Sequence, residues 1–396
     1  MHPKLLGLIA AWLASRAWVL LSGFQILPYP EGENLFADVR LYDWWAGNIQ
    51  DGHFPINDPM WQYPPLAALV FLFGYLIAPQ TVGFVFLATA ADALIFYFLL
   101  EAGQSRPDKK YLPAAIWVST AIFMGPVMLG RFDVFPTLFA VLALVFIQNN
   151  KYFGLNVAIG TILKVWPILL LIAIPKSRFK SVLAWFALSF GLLALALTIW
   201  WPNSFSFLVG QRSRGLQIES FGALAFMIWN AIADPLLLEF RYGAVEVLAA
   251  GVNLVSLLIT VVGFVFIGQV IFWRIKGKLE KVEPSLIALY LVMLSMVTSR
   301  VLSPQYMVWL FGLLAVCALA TIQKFNLIFW LIAISAFAGQ LIYPVFYYSY
   351  MSGELLALLI QILRLTTLLA ATFLVWQNLQ SQKNESAADL VRNQGV

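Results

Sequence analysis

Apolar stretches of about twenty residues recur along the chain between short polar breaks, the length an α-helix needs to cross the hydrocarbon core of a bilayer. The first, 5–27, is interrupted by Arg16 and has no small-residue cleavage pattern before Pro28. It therefore reads as a span rather than a signal peptide. Segment 66–101 is broken at Pro79-Gln80 and reads either as two short spans or as an interfacial helix followed by one. Charge parity favours one crossing, which puts Arg106, Lys109 and Lys110 on the same side as Lys151 and the Lys176/Arg178/Lys180 cluster, as the excess of Lys and Arg in cytoplasmic loops requires. Further apolar segments cover 112–129, 134–148, 153–164, 166–175, 182–201, 244–273, 285–299, 304–322, 325–344 and 355–377. The pattern predicts twelve crossings with both termini inside. The two segments flanking Lys164-Val165-Trp166-Pro167 are too short for about 30 Å at 1.5 Å per residue, so they predict a break buried in protein.

Composition agrees. Of 396 residues, 62% are hydrophobic and 11% charged, against about a quarter charged in soluble domains. This excludes a soluble globular fold and points to an all-α polytopic membrane protein. Cys317 stands alone, which excludes an intrachain disulfide, a cysteine zinc site and an iron–sulfur cluster. The net charge of +5 lies mostly at span ends and sets orientation; it does not suggest nucleic acid. Residues 1–378 form one integral membrane domain, with 379–396 expected as a disordered cytoplasmic tail.

Two long polar segments fall outside by this topology. The first, 28–65, carries Glu31, Glu33, Asp38, Asp43, Asp51 and Asp58 against Arg40 alone. If 38–50 is helical, Leu41, Trp44, Trp45 and Ile49 form a stripe suited to lying on the membrane. The second, 202–243, contains Gln211, Arg212, Arg214 and Glu219 and a short apolar stretch, 221–232, suited to the interface. The outward cations Arg40, Arg131, Lys164, Arg212, Arg214, Arg241 and Arg300 sit mostly at span mouths, as an anionic ligand there would require. Lys164 is the most telling, since a lone lysine in an apolar helix costs roughly 2.5–3.5 kcal/mol without a partner. Asp133 opens a helix and can cap it or pair with Arg131. Asp92, Glu246, Arg16 and Arg364 lie within expected spans, where interhelical ion pairs would account for them. No glycine-rich phosphate loop, histidine cluster or nucleophilic triad is present, and Asp38 with Asp133 makes a poor metal signature.

Six features occur in a suggestive order: Asp38 with Tyr42, the turn 52–55 containing His53, Tyr63-Pro64-Pro65-Leu66, Gly130-Arg131-Phe132-Asp133, Lys164 with Pro167, and Ser303-Pro304-Gln305-Tyr306. In this the chain resembles membrane glycosyltransferases of the GT-C fold, in particular glycosyltransferase family 87, the actinobacterial alpha-mannosyltransferases that use polyprenyl-phosphate-mannose. A more distant similarity is to the eukaryotic GPI mannosyltransferase I. The resemblance implies interfacial helices in the first external loop, one of them starting at Tyr63-Pro64-Pro65-Leu66, and Asp38 as the catalytic base. The family often has Gly-Gln where this chain has Gly130-Arg131. An inverting transfer from a lipid phosphate needs a base for the acceptor hydroxyl and cations for the departing phosphate. Lys164, Arg212, Arg214 and Arg300 are the available phosphate donors of hydrogen bonds. Tyr42, His53, Tyr63, Arg131, Asp133, Trp166, Gln211, Glu219 and Gln305 are the expected substrate contacts. The implied partners are the bilayer, a polyprenyl-phosphate sugar and a glycolipid or lipoglycan acceptor on the outer face, with no further cofactor. Arabinofuranose or glucose in place of mannose fits the same fold. A transporter or flippase is the alternative from another class, because broken helices around a midplane charge also describe alternating access.

Overall fold

The computed structural model of the protein describes residues 3–210 and 214–394. It is a mostly helical membrane protein in which, among the described residues, seven helices are long and apolar enough to span a bilayer, two of them, Pro107–Met128 and Phe325–Val345, counted with the short helical turns that flank their α-helical cores. In chain order the helices are α1 (Pro3–Gly23), α2 (Ala37–Gln50), α3 (Leu66–Ile77), α4 (Val82–Gly103), α5 (Leu112–Met124), α6 (Val134–Val145), α7 (Asn150–Leu163), α8 (Lys176–Trp200), the single turn α9 (Phe207–Gly210), α10 (Leu224–Ile232), α11 (Val252–Ile275), α12 (Pro284–Val297), α13 (Met307–Cys317), α14 (Phe325–Gln340), α15 (Tyr347–Met351) and α16 (Leu355–Gln394).

The expected twelve full crossings are not all made by membrane-length helices. α6, α7, α12, α13 and a 3-10 helix at Trp166–Ala173 have only 8 to 14 residues. The physical reason is burial. Every residue of α13 and most of α12 are buried in protein, and a helix sheathed by others need not match the thickness of lipid. The break at Lys164 has the expected form: α7 stops at Leu163, Lys164 is extended (φ −158°, ψ 135°), and the 3-10 helix restarts at Trp166-Pro167.

Loop contacts sort the chain into two ends. At one, Lys109 Nζ donates to Ala320 O (2.6 Å), the Lys176 amide to Glu280, Arg178 to Asn150, and Asn378 to Gln323 O. The basic loops that a single crossing of 66–101 gathers therefore share one end. α3 packs against α2 and α4 at the other, where the 12-residue α3 is too short to cross. α2 forms as the loop pattern suggests, but its stripe does not lie on lipid as a whole. Trp44 is exposed, while Tyr42, Trp45 and Ile49 are buried against α3, with Tyr42 stacked on Phe71 at 4.4 Å.

The expectation of an all-α chain needs one correction. Residues 244–248 do not begin a span; they form β3 (Ala244–Leu248), the middle strand of a sheet ordered β1-β3-β2 with β1 (Leu216–Gln217) and β2 (Leu237–Arg241). Arg241 pairs with Ala244 across Tyr242-Gly243, both at positive φ (50° and 77°), the two-residue turn that matches strand twist. Gly251, at φ 87°, ends this unit before α11. Glu246 is thus a strand residue.

α1 is mostly exposed, and one buried ion pair secures it. Arg16 meets Asp92 of α4 through two bonds (Nε–Oδ2 2.9 Å, Nη2–Oδ1 2.8 Å) and also donates to the Val118 and Trp117 carbonyls of α5, while Trp12 donates to the same carboxylate. Removing one partner strands the other charge. Asp92→Asn is expected to cost about 3–5 kcal/mol, read as a lower unfolding temperature of the solubilised protein, with Arg16→Met added to Asp92→Leu recovering most of it. Equal stability of the single variant and the parent would show that this pair does not hold α1.

Candidate active site

The site lies at the end opposite the basic loops, in a cavity of about 860 Å³ walled by α2, the 130–133 turn, the break at Lys164, the β-hairpin, the 298–306 turn and residues 343–348. Its floor is set by short elements: α6 and α7 reach roughly 18–21 Å from the basic end against about 37 Å for α8 at 1.5 Å per residue. The cavity is therefore recessed below the ends of the long helices.

Asp38, in the first turn of α2, is 38% exposed and its carboxylate lies 3.0 Å from Nε of Arg131. Arg131 is 5% exposed and held by all three of its nitrogens: besides Nε, Nη1 donates to Leu35 O (2.8 Å) and Gly130 O (2.9 Å), and Nη2 donates to the Tyr343 hydroxyl (2.9 Å), which donates in turn to Asn34 O. Burial works against its charge, but the facing Asp38 and the surrounding tyrosines outweigh it and raise its pKa further. The arginine is therefore a fixed cation, and the carboxylate keeps one side open to the cavity.

A second pair stands across the cavity. Lys164 Nζ is 2.6 Å from Asp133 Oδ1, with the lysine 20% and the aspartate 2% exposed, and Trp309 Nε1 donates to the same oxygen at 2.8 Å. The ammonium also lies over the rings of Tyr306 (4.8 Å) and Trp309 (5.2 Å). Tyr306 stacks on Trp309 at 4.1 Å, and Trp309 on Trp166 at 5.1 Å. Asp133 occupies the N-cap position of α6 but accepts no bond from the helix, and it does not pair with Arg131. Pro136, at the third helical position, has no N–H to offer, and the Phe135 amide bonds Phe132 O instead, so the carboxylate is free to serve Lys164.

Between the pairs, the Tyr42 and Tyr63 hydroxyls share a 2.8 Å bond. Burial raises both phenols above their usual value, and the Asp38 charge adds to it. On the far wall, Arg300 donates to Arg214 O (3.2 Å) and Arg214 to Tyr242 O (2.7 Å), while Arg214 Nε is buried without a partner. Glu219 lines the cavity, yet its carboxylate is taken by Arg364 (3.1 Å) and Gln217 (2.7 Å); burial pushes this carboxyl up while Arg364 opposes it. Gln361 and Arg364 of α16 thereby anchor the 217–219 segment.

The cavity brings together Asp38, Tyr42, Tyr63, Arg131, Lys164, Trp166, Arg214, Glu219, Arg300 and Gln305, with Asp133 bonded just behind. His53 does not line it and is exposed. Gln211 and Arg212 lie outside the described residues. Sequence reading missed Trp309 and Tyr343. Trp309 follows the Ser303-to-Tyr306 element within an apolar run and looks like any core aromatic, and nothing in the sequence singles out Tyr343. Among the described residues, no three His, Cys, Asp or Glu side chains are grouped to hold a metal ion.

In this multi-pass membrane protein a carboxylate and several cations thus face one recessed cavity. Comparison with known families makes this specific: the model of glycosyltransferase family 87 matches residues 61–304, more than half of the chain, and the protein belongs to that family. It is an enzyme, a membrane glycosyltransferase, rather than a transporter. The match includes both cationic walls and begins after Asp38. No curated protein and no solved structure matches the chain.

The tyrosine pair yields a pH test. With folded-state pKa values raised above 10, both phenols stay protonated at working pH and donate but do not act as bases. Tyr63→Phe is expected to lower the transfer rate without moving either limb of the pH–rate profile between about pH 6 and 9; a limb that vanishes in the variant would assign the titration to Tyr63.

Proposed function

We propose that the protein transfers mannose from a polyprenyl-phosphate-mannose donor to a hydroxyl of a glycolipid or lipoglycan acceptor at the outer membrane surface, with inversion from a beta-linked donor to an alpha-linked product. The acceptor oxygen bonds to the anomeric carbon as Asp38 takes the hydroxyl proton. The bond from that carbon to the phosphate oxygen breaks, and polyprenyl phosphate leaves with its charge facing the cationic wall of the cavity, where Arg214 and Arg300 stand. Positioned donors of this kind are worth most where water is excluded, and the recessed floor supports such exclusion. Neutral hydroxyl acceptors need a base, and the donor supplies its own leaving group.

The observation that carries this reading is the state of Asp38: a carboxylate at the cavity edge, 38% exposed, oriented from behind by a buried arginine whose other bonds leave it no freedom. Mannose and the polyprenyl chain come from the family resemblance. Membranes containing the parent protein or Asp38→Asn, supplied with labelled polyprenyl-phosphate-mannose and a lipid extract, provide the test. Transfer should fall about 10²–10⁴-fold in the variant with donor binding retained. Transfer at the parental rate would remove Asp38 from the role of base.

A further inference from the structure

The cations of the cavity are of two electrostatic kinds. Lys164 already has its counter-ion, since Asp133 is 2.6 Å away and is fixed there by Trp309. A phosphate arriving at this pair meets a carboxylate as well as an ammonium, and like charges at short range oppose each other. Arg214 and Arg300 form no ion pair within 4 Å among the described residues; their side chains bond the backbone carbonyls of Tyr242 and Arg214, and Glu246, whose charge Arg214 does feel, gives one oxygen to the Gly215 amide. The Nε of Arg214 is buried with no acceptor at all. An unfilled buried guanidinium N–H is unfavourable until an acceptor arrives, and the planar fork of arginine matches phosphate oxygens.

The Lys164–Asp133 pair offers something different. It presents a charged donor of which one hydrogen is used by Asp133, beside a stack of aromatic rings formed by Trp166, Trp309 and Tyr306. The indole N–H of Trp166, a cavity-lining residue, is also buried without an acceptor. A neutral polyol fits this surface: each hydroxyl both donates and accepts, and the C–H face of a sugar ring packs on an aromatic face. Because the pair is neutral overall, binding a neutral group there leaves no net charge uncompensated.

We infer that Lys164, held in place by Asp133 behind it, and Trp166 read the hydroxyls of the sugar being transferred, while Arg214 and Arg300 hold the phosphate. This rests on the proposed polyprenyl-phosphate-sugar donor and moves Lys164, the cation that sequence alone assigns to the phosphate, to the sugar. Sugar choice then lies in side chains that do not touch the leaving group, where a missing hydroxyl leaves a buried polar group unpaired.

Equilibrium binding of two probes to the purified full-length protein separates the roles: a polyprenyl phosphate without sugar, and its mannosyl ester. The combined substitution Lys164→Met with Asp133→Asn, which keeps the site neutral, should weaken the mannosyl ester about ten- to a hundredfold and leave the bare phosphate unchanged. Trp166→Phe, a milder change that removes the indole N–H and part of the ring but keeps an aromatic face, should do the same to a lesser degree. Arg214→Gln with Arg300→Gln should weaken both probes. Loss of the bare phosphate in the Lys164/Asp133 variant and in Trp166→Phe, in step with the ester, would overturn the division. Parent protein that binds neither probe would instead overturn the donor class, and the division with it.

Discussion

The contact between Asp38 and Arg131 joins the first external segment to the helical bundle at the point where chemistry is proposed. Arg131 alone binds the Leu35 and Gly130 carbonyls, the Tyr343 hydroxyl and the Asp38 carboxylate, so three parts of the chain far apart in sequence are fixed by one guanidinium. A buried arginine without its carboxylate would be strongly unfavourable, and a carboxylate without the arginine would lose its orientation. Each therefore depends on the other. The same pairing logic recurs through the protein, in Arg16 with Asp92, Lys164 with Asp133 and Arg364 with Glu219, and each pair ties segments that apolar packing alone would leave free to slide.

These pairs also explain how a lipid-embedded protein keeps a polar cavity. Short helices end at Asp133 and Lys164 below the ends of their longer neighbours, so charged side chains point into a recess walled by protein. Backbone left without helical bonds at Lys164 is acceptable there because it lines a cavity and does not face hydrocarbon. The aromatic groups around Tyr42, Trp45, Tyr63 and Phe71 seal the recess on the α2 side, and the β-hairpin covers the other.

Much of this was legible in the sequence because the relevant signals are local. Apolar run length marks the spans, basic residues mark one end, and Lys164-Val165-Trp166-Pro167 marks a helix break. Asp38, Lys164, Arg131 and Arg300 stood out as charges where charge is expensive or unexpected, and the structure gathers all four around one cavity. What was not legible depends on tertiary contact. A periodic pattern shows that Trp45 and Leu41 share a face of α2 but not that α3, rather than lipid, covers Trp45. The strand at 244–248 is nearly as apolar as the helix that follows it, and only Gly251, at positive φ, separates the two. The partners of Asp133 were misjudged because neighbours in sequence, its own helix and Arg131, seemed nearer than Lys164 and Trp309. Run length likewise says nothing of whether a helix meets lipid, so α12 and α13 read as spans although protein surrounds them.

The central claim is that Asp38 works as a base in the orientation that Arg131 imposes, so the two act as one unit. Transfer rates of Asp38→Asn, Arg131→Gln and the double variant, measured side by side at saturating donor, test it most directly. If the pair is a unit, Arg131→Gln alone slows transfer by about 10²-fold through misplacement of the base, and the double variant is no slower than Asp38→Asn. Losses that multiply in the double variant would show that Arg131 acts independently of Asp38 and would contradict the account.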